Sequence, residues 1–310
     1  MKHKGLYLFV TILILLFPCS CSDSQERIQS DKPQVVAVSF IQYDFVREIA
    51  KDKVDVKMLI LPGAEVHTYE PTPMDVSAIL NCNLSVRNGG VSETWLDSLS
   101  IDVNGIPTVK FMDVTDNLCS THNDHDSDSL NEHSHDIDEH VWTSPKNAVL
   151  IANAICSALV EIDKENQEFY KENTRVFIEK LEKLDNDFSQ LVQNASRKTV
   201  VVGDRFPFLY LANHYNLEYH AAFSGCASNT EPTASDILRL TQIVKNQNLP
   251  VVFKIEFSNG SVAKTIAEQT GASVLLLHSC HNVTKEEFEN GAGYLSLMNQ
   301  NLENLLEALY

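Results

Sequence analysis
Short apolar blocks alternate with longer amphipathic ones along most of the chain, and the period of the pattern changes between them. Residues 34–40 form an apolar run rich in β-branched side chains, which predicts a buried strand. Residues 42–51 follow with helical spacing through Phe45 and Ile49. A second strand is expected at 54–61 and a helix at 73–80, with Asp75 in its first turn. A third strand at 84–87 is ended by Asn88-Gly89-Gly90. Strands alternating with helices predict an α/β lobe with a mostly parallel sheet.

From Ser144 the pattern turns helical, with Ser144 placed to cap a helix and Pro145 suited to its first position. Residues 166–194 are charged and amphipathic, with Phe169, Val176, Ile178, Leu181, Leu184, Phe188 and Leu191 on the apolar stripe. So long a helix, with α/β segments at both ends, reads as a rigid connection between two lobes. Strands at 198–202, 251–255 and 273–277 and helices at 237–245, 261–270 and 299–309 make the second lobe α/β again. The expected architecture is two α/β lobes, each a mostly parallel sheet flanked by helices, joined by one long helix. The N-terminal lobe spans 34–163, the linking helix 164–196 and the C-terminal lobe 197–310.

The first residues read as an address. Lys2, His3 and Lys4 precede an apolar run at 6–17 that is too short for a comfortable membrane span. Ser20 before Cys21 resembles a bacterial lipoprotein cleavage site, so residues 1–21 are expected to be a signal peptide with Cys21 as the lipidated residue. Residues 22–33 are polar and read as a tether. A formal net charge of −18 argues against nucleic acid, which is bound by Lys and Arg neutralising phosphates. The same charge favours the approach of cations. One segment breaks the α/β pattern: residues 116–136 are rich in Asp, Ser, Asn and His and hold too few apolar residues to pack. Its His122, His125, His133 and His135 suggest a metal-capture loop, since imidazole is a good zinc ligand.

The remaining histidines carry the candidate chemistry. His67 follows a strand and precedes a helix, which places it beyond the carboxyl end of a sheet, where open α/β folds bind ligands. His140 lies in Asp138-Glu139-His140, where a neighbouring acid can orient its ring through the second nitrogen. His278 and His281 follow the strand ending near Leu277, and spacing does not separate them as ligands. Cys226 and Cys280 lie in second-lobe loops. They are candidates for a disulfide outside the cytoplasm, worth about 4 kcal/mol in the chain-entropy model, or for thiolate ligands. Cys82 and Cys156, in apolar surroundings, read as buried thiols.

Residues 62–73, Asp138-Glu139-His140-Val141-Trp142 and the stretch 293–301 resemble the zinc/manganese ABC-transporter substrate-binding lipoprotein family. The resemblance runs from about residue 34 to the C-terminus. It implies a metal site in the cleft between the lobes and a solute-binding role rather than an enzyme. It also implies a permease and an ATPase subunit as partners, a monomer, and anchoring to the bacterial cell membrane through the N-terminal lipid. His67 and His140 stand at the family's first two ligand positions, and its histidine-rich loop, where present, precedes the second. The family's third ligand falls at about Gly203, which has no side chain to offer, with Asp204 adjacent. Near the fourth position stand His278 and His281, and Glu231 or Glu256 are further oxygen candidates. Three or four imidazoles favour Zn2+ over Mn2+, which prefers oxygen. Two rival readings are a secreted zinc hydrolase, with Glu139 as its base, and a surface adhesin with a structural metal.

Overall fold
The computed structural model describes residues 31–98, 105–120, 137–223 and 232–310. Cys21, the signal and most of the tether, the four histidines of the 116–136 loop, Cys226 and Glu231 lie outside the described residues.

Strands β1 (Gln34–Ala37), β2 (Asp55–Met58), β3 (Leu84–Arg87) and β4 (Thr108–Lys110) form one sheet in the order β2-β1-β3-β4, every pair parallel. Its helices are α1 (Phe40–Ala50), α2 (Pro73–Leu80) and the short α3 (Thr94–Asp97). All four β3 residues are buried, because parallel sheets are covered on both faces. Helix α2 starts as its sequence predicts. Pro73 takes the first turn, and Thr72 and Asp75 exchange side-chain and backbone hydrogen bonds in a capping box.

Helix α4 (Pro145–Ile162) and α5 (Gln167–Asn194) then cross to the second sheet. Ser144 stands at the α4 N-cap position, but its hydroxyl turns to His214 Nδ1 at 2.7 Å instead of capping. Although α4 is long and apolar enough to cross a membrane, Ile151, Ala152, Ile155 and Leu159 are fully buried, so it is a core helix. The 28 residues of α5 span about 42 Å and bury Tyr170, Phe177, Leu181, Leu184, Phe188 and Leu191 along one stripe. This is the long helix expected at 164–196, with a 3₁₀ turn at Lys164–Asn166 in front of it.

The second lobe adds β5 (Thr199–Val202), α6 (Leu209–Tyr215), β6 (Glu218–Ala221), α7 (Ala234–Asn246), β7 (Val251–Lys254), α8 (Ser261–Thr270), β8 (Ser273–Leu276), α9 (Lys285–Glu289) and α10 (Tyr294–Leu309). Its sheet repeats the first one's order, β6-β5-β7-β8, again all parallel. In both sheets the first strand sits between the second and the third, so the chain reverses direction there and leaves a crevice beyond the carboxyl ends. One continuous core joins Val35 and Phe45, through Phe177 and Phe188, to Phe253 and Leu305.

Strands β4 and β6 are absent from the hydrophobic pattern. Both are edge strands, and β6 (Glu-Tyr-His-Ala) has no fully buried residue, so neither produces an apolar run. Helix α10 begins at Tyr294, ahead of the expected residue 299, because Tyr294 and Met298 are themselves buried against the core.

Candidate metal centre
His67 lies on the loop between β2 and α2. That loop is pinned at both ends. Gly63, at φ +87°, donates its amide to Val283 O at 2.7 Å, and Tyr69 Oη donates to Asp75 at 2.7 Å. His140 closes the long connection before α4. Asp138 accepts its backbone N–H at 2.9 Å and lies 3.3 Å from its ring Nδ1. Tyr210 Oη donates to Asp138 O, and Asn88 Nδ2 to Glu139 O, both at 2.8 Å. His281 comes from the loop after β8. Trp142 braces that loop by donating Nε1–H to Ser279 O at 2.8 Å, and its ring lies 4.8 Å from the His281 ring.

These three histidines meet. One ligand-capable atom from each lies within 4.8 Å of the others, and the ring centroids are 5.2 to 5.8 Å apart. Among the described residues this is the one such cluster. His140 and His281 are buried and His67 is partly exposed, at the rim of a cavity of about 50 Å3. Arg205, Glu256 and Ser279 are among the other residues that line it. The cavity has room for an ion and about two waters.

The electrostatics suit a cation. Burial, reinforced by the charges of His67 and His140, lowers the His281 pKa far below its ordinary 6.5 despite Glu139, so this imidazole is neutral with a lone pair to give. Glu139 sits beside the cluster, its Oε1 3.2 Å from His67 Nδ1. Burial alone would raise its carboxyl; the hydrogen bond from His67 and the neighbouring His140 and His281 override that and hold it well below the usual range.

His278 belongs elsewhere. Cys280 stands between the two histidines in the left-handed region, at φ +62°. Asn301 on α10 clamps the His278 backbone, accepting its N–H at 2.7 Å and donating to its carbonyl at 2.8 Å. The His278 Nδ1 accepts the Cys280 amide at 2.9 Å, which puts the ring proton on Nε2, 3.7 Å from Glu287. With one nitrogen engaged and the other facing a carboxylate, His278 does not join the cluster. Of the pair expected to be interchangeable, only His281 reaches the other histidines. Cys280 is fully buried and, like the buried Cys82 and Cys156, a free thiol among the described residues; Cys226, its candidate disulfide partner, lies outside them.

Gly203 shows why no ligand follows β5. A Cβ there would lie 2.5 Å from the Ala263 backbone nitrogen in α8. The glycine is the condition for α8 to pack this closely on the sheet, and no side chain fits. Glu256 lines the cavity, but its Oε2 accepts the Ser279 N–H at 2.9 Å and its Oε1 accepts the Ser279 hydroxyl. Sequence reasoning missed the reach of Glu139 to His67 and the clamp by Asn301. The only signal for the clamp was that Asn301 ends the stretch 293–301.

Two parallel α/β lobes tied by one long helix, with imidazoles converging at the strand carboxyl ends, define a two-lobed solute receptor with a site suited to a metal ion. The periplasmic zinc-uptake complex component A (ZnuA) family model matches residues 35–308, and the chain belongs to that family. It is 32% identical over 318 residues to the high-affinity zinc uptake system protein ZnuA of Bacillus subtilis, covering 99% of this chain and 98% of that protein. It is 29% identical over 310 residues to the zinc-binding lipoprotein AdcA of Streptococcus pneumoniae, but spans only 60% of AdcA's length. The crystal structure of the Zn(II)-bound ZnuA-like domain of AdcA matches with a TM-score of 0.73 at 28% identity, over 90% of this chain and 99% of that one.

Proposed function
We propose that this chain is the extracytoplasmic solute-binding component of an ABC importer, which captures Zn2+ and delivers it to a membrane permease served by an ATPase subunit. The observation that carries the reading is the convergence of His67, His140 and His281 on one small cavity between the lobes. An all-imidazole donor set favours zinc, whereas manganese calls for oxygen ligands. The chain works as a monomer held to the bacterial membrane by lipid on Cys21, after removal of a signal peptide and through a tether at 22–33. The acidic loop with His122, His125, His133 and His135 gathers cations ahead of the site.

The role is binding and not catalysis. Glu139, the one base a zinc hydrolase reading would use, has both carboxylate oxygens engaged, one by His67 and one by Ser92. The test is calorimetric titration of the chain from Ser22 onward with zinc and with manganese, using wild type, His67→Ala and His278→Ala. One tight zinc site, lost in His67→Ala, retained in His278→Ala and weak for manganese, is the expected result. Equal zinc affinity in His67→Ala would sink the reading. Metal that never exchanges and whose removal unfolds the chain would favour the structural-metal adhesin.

A further inference from the structure
The turn leaving β3 is built around a carboxylate that belongs to another part of the chain. Ser92 donates both its backbone N–H, at 3.1 Å, and its hydroxyl, at 2.8 Å, to Glu139 Oε2. Asn88 Nδ2 holds the Glu139 carbonyl at 2.8 Å. The Asn88 and Gly89 amides go instead to Glu93 Oε2, at 2.7 and 2.8 Å, which fixes the shape of the turn. Gly90 makes room: a Cβ there would fall 2.1 Å from Glu139 Oε2 and 2.5 Å from its Cβ. No side chain at residue 90 is compatible with the Glu139 position. The other oxygen, Oε1, is left for His67 Nδ1 at 3.2 Å.

We infer that Glu139 is the positioning residue for His67: held by Ser92 beside Gly90, its carboxylate accepts a hydrogen bond from Nδ1–H and so presents Nε2 to the ion. The inference rests on the metal-site reading above and deepens it. An ionised carboxylate only accepts, so His67 must carry its proton on Nδ1 and keep its lone pair on Nε2. The same contact limits ring rotation and makes the imidazole a stronger donor, the usual function of a carboxylate behind a metal-binding histidine. Glu139 is not itself among the converging donor atoms, which are imidazole nitrogens alone. Each ligand in the first lobe thus has its own acid, and the two acids are neighbours in sequence: Asp138 faces His140, and Glu139 reaches back to His67.

Glu139→Gln separates positioning from ligation. The amide has one oxygen, and the Ser92 N–H claims it. The amide nitrogen then faces His67 Nδ1, which must accept, so the proton moves to Nε2 and blocks the ligand atom. In metal-free protein labelled with 15N-histidine, long-range 1H–15N spectra are expected to show His67 with Nδ1–H in wild type and Nε2–H in Glu139→Gln. Zinc affinity in that variant should fall about 10–100-fold. Ser92→Ala, which removes one donor to Oε2, should shift both readouts the same way by less, and it keeps the test alive if Glu139→Gln does not fold. The inference is overturned if wild-type His67 carries its proton on Nε2, or if the variants leave tautomer and affinity unchanged. It is also overturned if X-ray absorption of the zinc-loaded Glu139→Gln protein shows an oxygen ligand lost, which would make Glu139 a ligand. Zinc binding lost in His67→Ala but unchanged in Glu139→Gln would defeat this inference alone; tight zinc retained in His67→Ala would defeat the metal-site reading beneath it.

Discussion
His281 governs how the centre answers acid. Its pKa is lowered far below 6.5, first by burial and then by His67 and His140, so the folded chain keeps it neutral where the unfolded chain would bind a proton. The unfolded state then binds more protons, and stability rises with pH across that range. Metal-free protein should therefore lose stability as pH falls below about 6.5, by up to about 1.4 kcal/mol per pH unit for this group. Urea midpoints measured from pH 7.5 down to 5 should show this slope, and His281→Asn should flatten it. An unchanged slope in the variant would mean that another group carries the acid sensitivity. His67 and His140 were readable from the sequence because each sits in a local motif at a strand end or a turn. The choice between His278 and His281 was not. It depends on the left-handed backbone at Cys280 and on a clamp from Asn301, which lies far along the chain.

At the scale of elements, the approach of α8 to β5 decides which lobe supplies which ligand. Gly203 donates its amide to Phe253 O at 2.8 Å and lies against the Ala263 backbone, so position 203, just past β5, is closed to any side chain. The second lobe therefore contributes to the cluster only through the β8 loop. Gly203→Ala is expected to destabilise the fold by about 1–3 kcal/mol, since backbone must move to admit the methyl group. Gly203→His should be worse and should not tighten zinc binding, despite placing a histidine where the sequence resemblance puts a third ligand. Thermal unfolding and calorimetry on the two variants check both statements; tighter zinc in Gly203→His would show that α8 yields easily. The glycine itself was plain in the sequence. Its reason was not, because Ala263 meets it only after two more strands have been laid into the sheet.

Over the whole molecule, the centre is tied across the lobes by hydrogen bonds. Asn282 Nδ2 donates to Leu61 O at 3.0 Å and Ala64 O at 2.8 Å, beside the Gly63–Val283 bond. Trp142 donates to Ser279 O, and Tyr294 Oη donates to Trp142 O at 2.8 Å. These bonds, with the shared core, hold the three histidines in one body. Asn282→Ala leaves two carbonyls without this donor and frees the loop that carries His67. Zinc release, followed by stopped-flow mixing with a chelator, should quicken about 5–30-fold, the equivalent of 1–2 kcal/mol, with little change in the association rate. An unaltered release rate would show that the loop is held by other contacts.

The sequence alone determined the two α/β lobes, the long helix between them and two of the three converging histidines. Those features are written in local periodicity and in motifs a few residues long, which carry their meaning wherever the rest of the chain lies. The tertiary structure decided the third histidine, the acid behind the first and the exclusion of a ligand after β5. Each depends on groups far apart in sequence but adjacent in space: Asn301 on His278, Glu139 on His67, Ala263 on Gly203. Side-chain direction and close backbone approach are set by packing, and a one-dimensional pattern does not record which distant residue will do the packing.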